Sequence, residues 1–100
     1  MKPPYYAVIF TSLRRDPDPE YDQMAEEMET LAADQPGYLG IESARSQDGK
    51  GITVSYWKDL DSIAAWKKNA RHQIAQKRGK EKWYLSYSIR IARVEREYSS

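Results

Sequence analysis

The chain has no cysteine and only one histidine. The first absence excludes disulfides and thiolate metal sites, and is compatible with a reducing compartment. The second excludes a multi-histidine metal cage within one chain. Long hydrophobic runs are also missing. The longest near the start, Tyr5 to Phe10, is too short for a signal-peptide core or a membrane span. A cytoplasmic protein with no membrane partner is expected. No linker, repeat or low-complexity segment interrupts the chain, so residues 1–100 read as a single domain. A hydrophobic content of 40% fills one modest core. A body this small leaves little room for an enclosed ligand cavity, and a second copy would supply another wall.

Net charge is only +1, yet the charges are unevenly placed. Residues 1–50 hold five Lys/Arg against ten Asp/Glu, and residues 51–100 hold eleven against five, giving local balances of −5 and +6. A basic half raises the question of nucleic acid. Here the basic residues alternate with apolar ones, and neither a Gly-aromatic RNA signature nor a helix-turn-helix pattern is present. A solvated face is the preferred reading, with no nucleic-acid partner. Halves of opposite sign would also help two copies meet.

Periodicity lays out the elements. Tyr5 to Leu13 is rich in β-formers and apolar on both parities, which predicts a strand covered on both faces. Asp-Pro-Asp-Pro then breaks it. Asp18 is a good N-cap, with Pro19 at the first helical position. Tyr21, Met24, Ala25, Met28, Leu31 and Ala32 form one apolar helical stripe, and Gln35-Pro36-Gly37 ends the helix. Tyr38–Ala44 and Ile52–Trp57 read as a hairpin, joined through Gln47 to Gly51. Asp59 or Asp61 caps a second helix carrying Ile63, Ala64 and Trp66. That pattern falters near Asn69, where a kink or break is expected before a further helical piece ending at Gly79. A final strand runs from Tyr84 to about Arg96. Its apolar parity shifts from Leu85, Tyr87, Ile89 and Ile91 to Ala92 and Val94, which predicts a β-bulge.

The order β-α-β-β-α-β defines an α+β, ferredoxin-like fold with a four-stranded antiparallel sheet. Two helices cover one face. The other face is too apolar for water, since Val8 and Ile9, or Tyr56 and Trp57, are neighbours of opposite parity. A second copy packed face to face about a two-fold axis is the simplest cover. A homodimer through this face and the long terminal strand is therefore expected.

Ser55 to Arg96 holds all three tryptophans and the sole histidine. Within it, Tyr56-Trp57-Lys58, Trp66, His72, Trp83-Tyr84 and Tyr87, with Pro36-Gly37-Tyr38 upstream, resemble the antibiotic biosynthesis monooxygenase (ABM) family. The likeness spans nearly the whole chain, from the first strand to Arg96. It implies a dimeric α+β barrel and, as an activity, cofactor-independent oxygenation of a small aromatic substrate by dioxygen. No cofactor and no metal are then expected. Such chemistry needs a phenol or hydroquinone-like ring that gives an electron to oxygen once deprotonated, in an apolar site with a proton acceptor and hydrogen-bond donors. Trp66 looks like the family's pocket tryptophan. His72 is the candidate base, since its ordinary pKa lies nearest neutrality. Tyr84, Tyr87 and Arg90 are candidate donors or anion partners.

Plainer readings stand beside these. Trp66 is in phase with Ile63 and serves equally well as core. Trp57 and Trp83 read better as core or dimer contacts, and a lone histidine between Arg71 and Gln73 is commonly solvated or capping. Tyr84 and Tyr87 differ in parity, so at most one faces a given cavity. Arg90 and Arg93 can be surface ion-pair partners. The family's haem-degrading branch places an iron-binding histidine ten residues after the helix tryptophan. In this chain that position is Gln76, which cannot replace imidazole, and no asparagine occurs from Tyr5 to Leu13. Haem degradation is therefore disfavoured. An enzyme, a small-ligand binder and an interaction module of the same fold remain open.

Overall fold

A computed structural model describes residues 1–14, 19–76 and 84–100. The side chains of residues 19–21, 71–76 and 84–85 are not among those described. The elements are β1 (Tyr5–Arg14), α1 (Pro19–Ala33), β2 (Tyr38–Arg45), β3 (Lys50–Trp57), α2 (Leu60–Gln76) and β4 (Tyr84–Val94). The strands form one antiparallel sheet in the order β2-β3-β1-β4. This is the α+β, ferredoxin-like arrangement, with α1 packed on β2 and α2 on β3.

Register assigns the faces. Ala7 lies opposite both Tyr56 and Ala92, and Ile9 opposite Val54 and Arg90. These residues share the outer face. Val8 lies opposite Ser55 and Ile91, and Phe10 opposite Thr53 and Ile89, on the face that meets the helices. The apolar stripe of α1 is seated through Met24 and Ala32, both buried.

Two expectations are corrected. No bulge separates Ile91 from Ala92: β1 and β4 keep register from Tyr5–Val94 to Leu13–Ser86, and the irregularity falls between Leu13 and Arg14. Ala92 and Val94 are apolar because the outer face is apolar there, opposite Ala7 and Tyr5. Nor does α2 break near Asn69. The helix runs unbroken from Leu60 to Gln76, and the Asn69 side chain donates to Gln35 Oε1 at 2.9 Å, tying α2 to the end of α1. A polar residue in the stripe thus finds a partner without a change in the backbone. The expected cap at Asp18 and helix end at Gly79 lie outside the described residues.

The start of α2 is locked to the turn before β2. Asp59 Oδ1 accepts from the Ser62 amide at 2.8 Å and from its hydroxyl at 2.7 Å, capping the helix. These hydrogen bonds hold the Asp59 carboxyl below its ordinary range. Gly37, with φ +85°, turns the chain out of α1, and its carbonyl accepts from the Lys58 amide at 2.8 Å. A Cβ on Gly37 would lie 2.0 Å from Ser62 Oγ. Gly37→Ala combines left-handed strain with overpacking on the cap. It is expected to lower unfolding free energy by about 2 kcal/mol or more in chemical denaturation; an unchanged midpoint would contradict the packing described.

Candidate active site

The site is built around Trp57, which is 0% exposed. A buried indole needs a partner for its N–H. Nε1 donates to Ser55 Oγ at 2.9 Å, two residues earlier on the same strand face. The Tyr38 ring meets it edge-on, with centroids 5.7 Å apart at 81°. On α2, Trp66 stacks at 5.9 Å and 22°. Ala32, Ile63, Tyr6 and Val8 complete this cluster.

Beside it lies a cavity of about 250 Å3 between the helices and the sheet. Val8, Phe10, Ile89 and Ile91 form its floor, and Met24, Met28, Ile63 and Trp66 its roof. Polar groups are few. Thr53 and Tyr87 bring hydroxyls to the sheet side, while the exposed Glu29 and Lys67 stand on the helices. Among the described residues the helices do not cover the β4 side, where Tyr87, Ile89 and Ile91 are 43–49% exposed. The Tyr87 ring leans on Phe10, with centroids 5.7 Å apart at 51°. Such a volume, apolar with a few polar groups at its edges, suits a small apolar ligand.

Of the residues singled out from the sequence, the cavity brings together Trp66 and Tyr87. Arg90 does not join them. It lies on the outer face, opposite Ile9, with Nη1 donating to Ser88 Oγ at 3.3 Å. The His72 side chain lies outside the described residues, although the backbone of α2 runs through it. In an unbroken helix, nine steps of about 100° put position 72 about half a turn around the axis from Ile63. Ile63, Trp66, Lys67 and Ala70 are the helix positions that line the cavity. Tyr84 pairs with Arg14 beyond the register shift, its side chain not being described. Trp83 lies outside the described residues. Phe10, Thr53 and Lys67 were missed. The parity of Phe10 with Val8, and Thr53 as a polar residue inside an apolar strand, were the available signals.

A second cluster lies on the outer face. The Tyr56 hydroxyl donates to Glu42 Oε2 at 2.8 Å, and the Tyr5 ring meets Tyr56 edge-on at 5.9 Å. The hydrogen bond to Glu42, then burial, raises the Tyr56 pKa; burial, then Glu97, raises that of Tyr5. Both phenols stay protonated near neutrality, so neither is a base. Among the described residues, no group of three or more His, Cys, Asp or Glu could hold a metal ion. No described helix is long and apolar enough to cross a membrane.

A split antiparallel sheet with two helices over one face and an apolar cavity between them defines a small ferredoxin-like domain with a ligand-sized site. The profile of the antibiotic biosynthesis monooxygenase family matches residues 4–78, and the chain belongs to that family. Protein YqjZ of Bacillus subtilis (strain 168), described as uncharacterized, is 52% identical over 96 residues, which cover 96% of this chain and 84% of YqjZ. The jasmonate monooxygenase ABM of Pyricularia oryzae is 31% identical over 49 residues, 49% of this chain and 23% of that protein. Among solved structures, a mutant of SnoaB, a cofactor-independent oxygenase from Streptomyces nogalater, superposes with a TM-score of 0.81 at 10% identity, covering 98% of this chain and 100% of that chain. That likeness establishes the fold.

The Ser55 hydroxyl is the acceptor that lets Trp57 be wholly buried. Removing it leaves a buried donor unsatisfied, at a cost of about 1–3 kcal/mol. Ser55→Ala is therefore expected to lose about that much stability and to alter the near-ultraviolet signal of the Trp57–Trp66 stack. A loss below about 0.5 kcal/mol would contradict this role.

Proposed function

We propose that the chain is a cofactor-independent monooxygenase acting on a small phenol or hydroquinone-like ring held in the cavity. The observation that carries this reading is the apolar site walled by Trp66, whose ring is braced on one side by Trp57 and lines the cavity. Membership of the monooxygenase family supports it. So does the kinship of half the chain with a jasmonate monooxygenase. Gln76 in place of a histidine ten residues after Trp66 argues against the haem-degrading branch.

The reaction balances without an external reductant. A phenol with a free para position loses its hydroxyl proton, and the phenolate passes an electron to dioxygen. A C–O bond then forms at the para carbon, the para C–H bond breaks with loss of its proton, and the O–O bond breaks. One oxygen stays as the quinone carbonyl and the other leaves as water carrying the hydroxyl and para protons, with all electrons supplied by the ring. Trp66 would position the ring against the floor of the cavity. The Tyr87 hydroxyl would hydrogen-bond the ring oxygen as charge shifts onto it.

A second reading is a binder of the same ligands without turnover. It is favoured by one feature: no described lining side chain has an ordinary pKa near neutrality. Under either reading we infer a homodimer through the outer face, where Ile9, Val54 and Ile52 meet solvent in the single chain, Ile52 being 44% exposed.

Oxygen uptake with a panel of phenols and hydroquinones separates the readings. The monooxygenase predicts uptake matched mole for mole by quinone, at least about tenfold slower in Trp66→Ala. Saturable binding with no uptake anywhere in the panel would establish the binder instead.

A further inference from the structure

The outer face of the sheet carries one row whose two ends differ in charge. Glu42 on β2 lies opposite Val54 on β3, Val54 opposite Ile9 on β1, and Ile9 opposite Arg90 on β4. With the strands in the order β2-β3-β1-β4, the midline of the sheet runs between Val54 and Ile9. The row therefore reads anion, apolar, apolar, cation, with the two charges equally far from the midline. Both end residues are exposed. The next row, Ala44, Ile52, Thr11 and Ser88, is uncharged, and its Ile52 is 44% exposed.

The two charges do not serve each other within the chain. Three strand spacings put Glu42 and Arg90 about 14 Å apart across the sheet, too far to meet. Among the described residues neither makes an ion pair. Neutral hydroxyls orient them instead. Tyr56 donates to Glu42 Oε2 at 2.8 Å, and Arg90 Nη1 donates to Ser88 Oγ at 3.3 Å.

A second copy supplies what each charge lacks, in one orientation only. Identical sheets packed face to face are related by a two-fold axis lying between them. An axis parallel to the strands turns β2 of one copy over β4 of the other. Val54 then meets Ile9 of the other copy, and Glu42 meets its Arg90. An axis across the strands sets β2 over β2 and β4 over β4, which leaves Glu42 and Arg90 at opposite edges of the pair. Stacked sheets stand about 10 Å apart, a gap that a glutamate and an arginine side chain span together. Their usual angle of about 30° displaces the row ends by about 4 Å, which long side chains absorb.

We propose that two copies pair about an axis parallel to the strands, with Glu42 of each copy joined to Arg90 of the other on either side of an apolar centre of Ile9 and Val54. The two ion pairs lie at the rim, where charge sets orientation and partner choice more than affinity. This rests on the homodimer through the outer face, and it adds which way round the two copies are assembled.

Two charge reversals test it, read by sedimentation equilibrium and, after mixing, by native mass spectrometry. Glu42→Arg leaves a row with two cations, and Arg90→Glu one with two anions. Each alone is expected to dimerise at least about tenfold more weakly than the wild type. Mixed, the two variants are expected to prefer each other and to approach wild-type affinity, since every cation then faces an anion. Circular dichroism checks that each variant folds. Glu42→Gln and Arg90→Gln, which keep hydrogen-bonding groups in place, should each weaken the dimer about threefold or more. A wild-type dimer unmoved by these changes, or reversed variants with no preference for each other, overturns the pairing and leaves the dimer standing. A monomeric wild type overturns both.

Discussion

An indole ring withdrawn wholly from water, with its one donor satisfied by its own strand, is the constraint on which the rest depends. Trp57 supplies the largest fully buried side chain of the described residues. Because Ser55 holds its Nε1, the ring plane is fixed against the sheet. Trp66 then has a rigid surface on which to stack. Two stacked indoles make a thick, stiff spacer between α2 and β3. At the other side of the cavity, α1 offers Met24 and Met28, long and adaptable side chains. A stiff wedge on one side and soft walls on the other leave a space the helices do not close.

The ends of that space differ in character. Toward Trp66 it is apolar and aromatic. Toward β4 it meets the Tyr87 ring beside the half-exposed Ile89 and Ile91. The Asp59–Ser62 cap and the Gly37 turn act from outside, fixing where α2 begins and so where Trp66 stands. The chain thus presents a cavity that is aromatic at one side and partly open at the other.

The order of elements was legible because each has a clear period or punctuation: the stripe from Met24 to Ala32, the turn at Gly37, the Asp-Gly hairpin. Trp57 as framework was also legible, from its place at a strand end. What misled was reading composition as backbone geometry. Ala92 and Val94 suggested a bulge because both faces of β4 are apolar, and Asn69 suggested a kink because its partner, Gln35, lies 34 residues away in sequence. The continuous helix places the backbone of position 72 about half a turn around the axis from Ile63, and the His72 side chain is not among those described. Arg90 was grouped with Tyr87 by proximity in sequence, but three residues along a strand means opposite faces. The hydrogen bond from Arg45 on β2 to Ser12 on β1 could not be read in advance, since it exists only once β2, β3 and β1 are in register.

The central claim is that ligand enters between α2 and the sheet, against Trp66 and the methionines of α1. Methyl-labelled methionine resonances test this most directly, with naphthol titrated into the protein. The account predicts progressive shifts of the Met24 and Met28 methyls, with Met1 at the chain start little affected. Shifts confined to Met1, or saturable naphthol binding that leaves Met24 and Met28 unmoved, would contradict it.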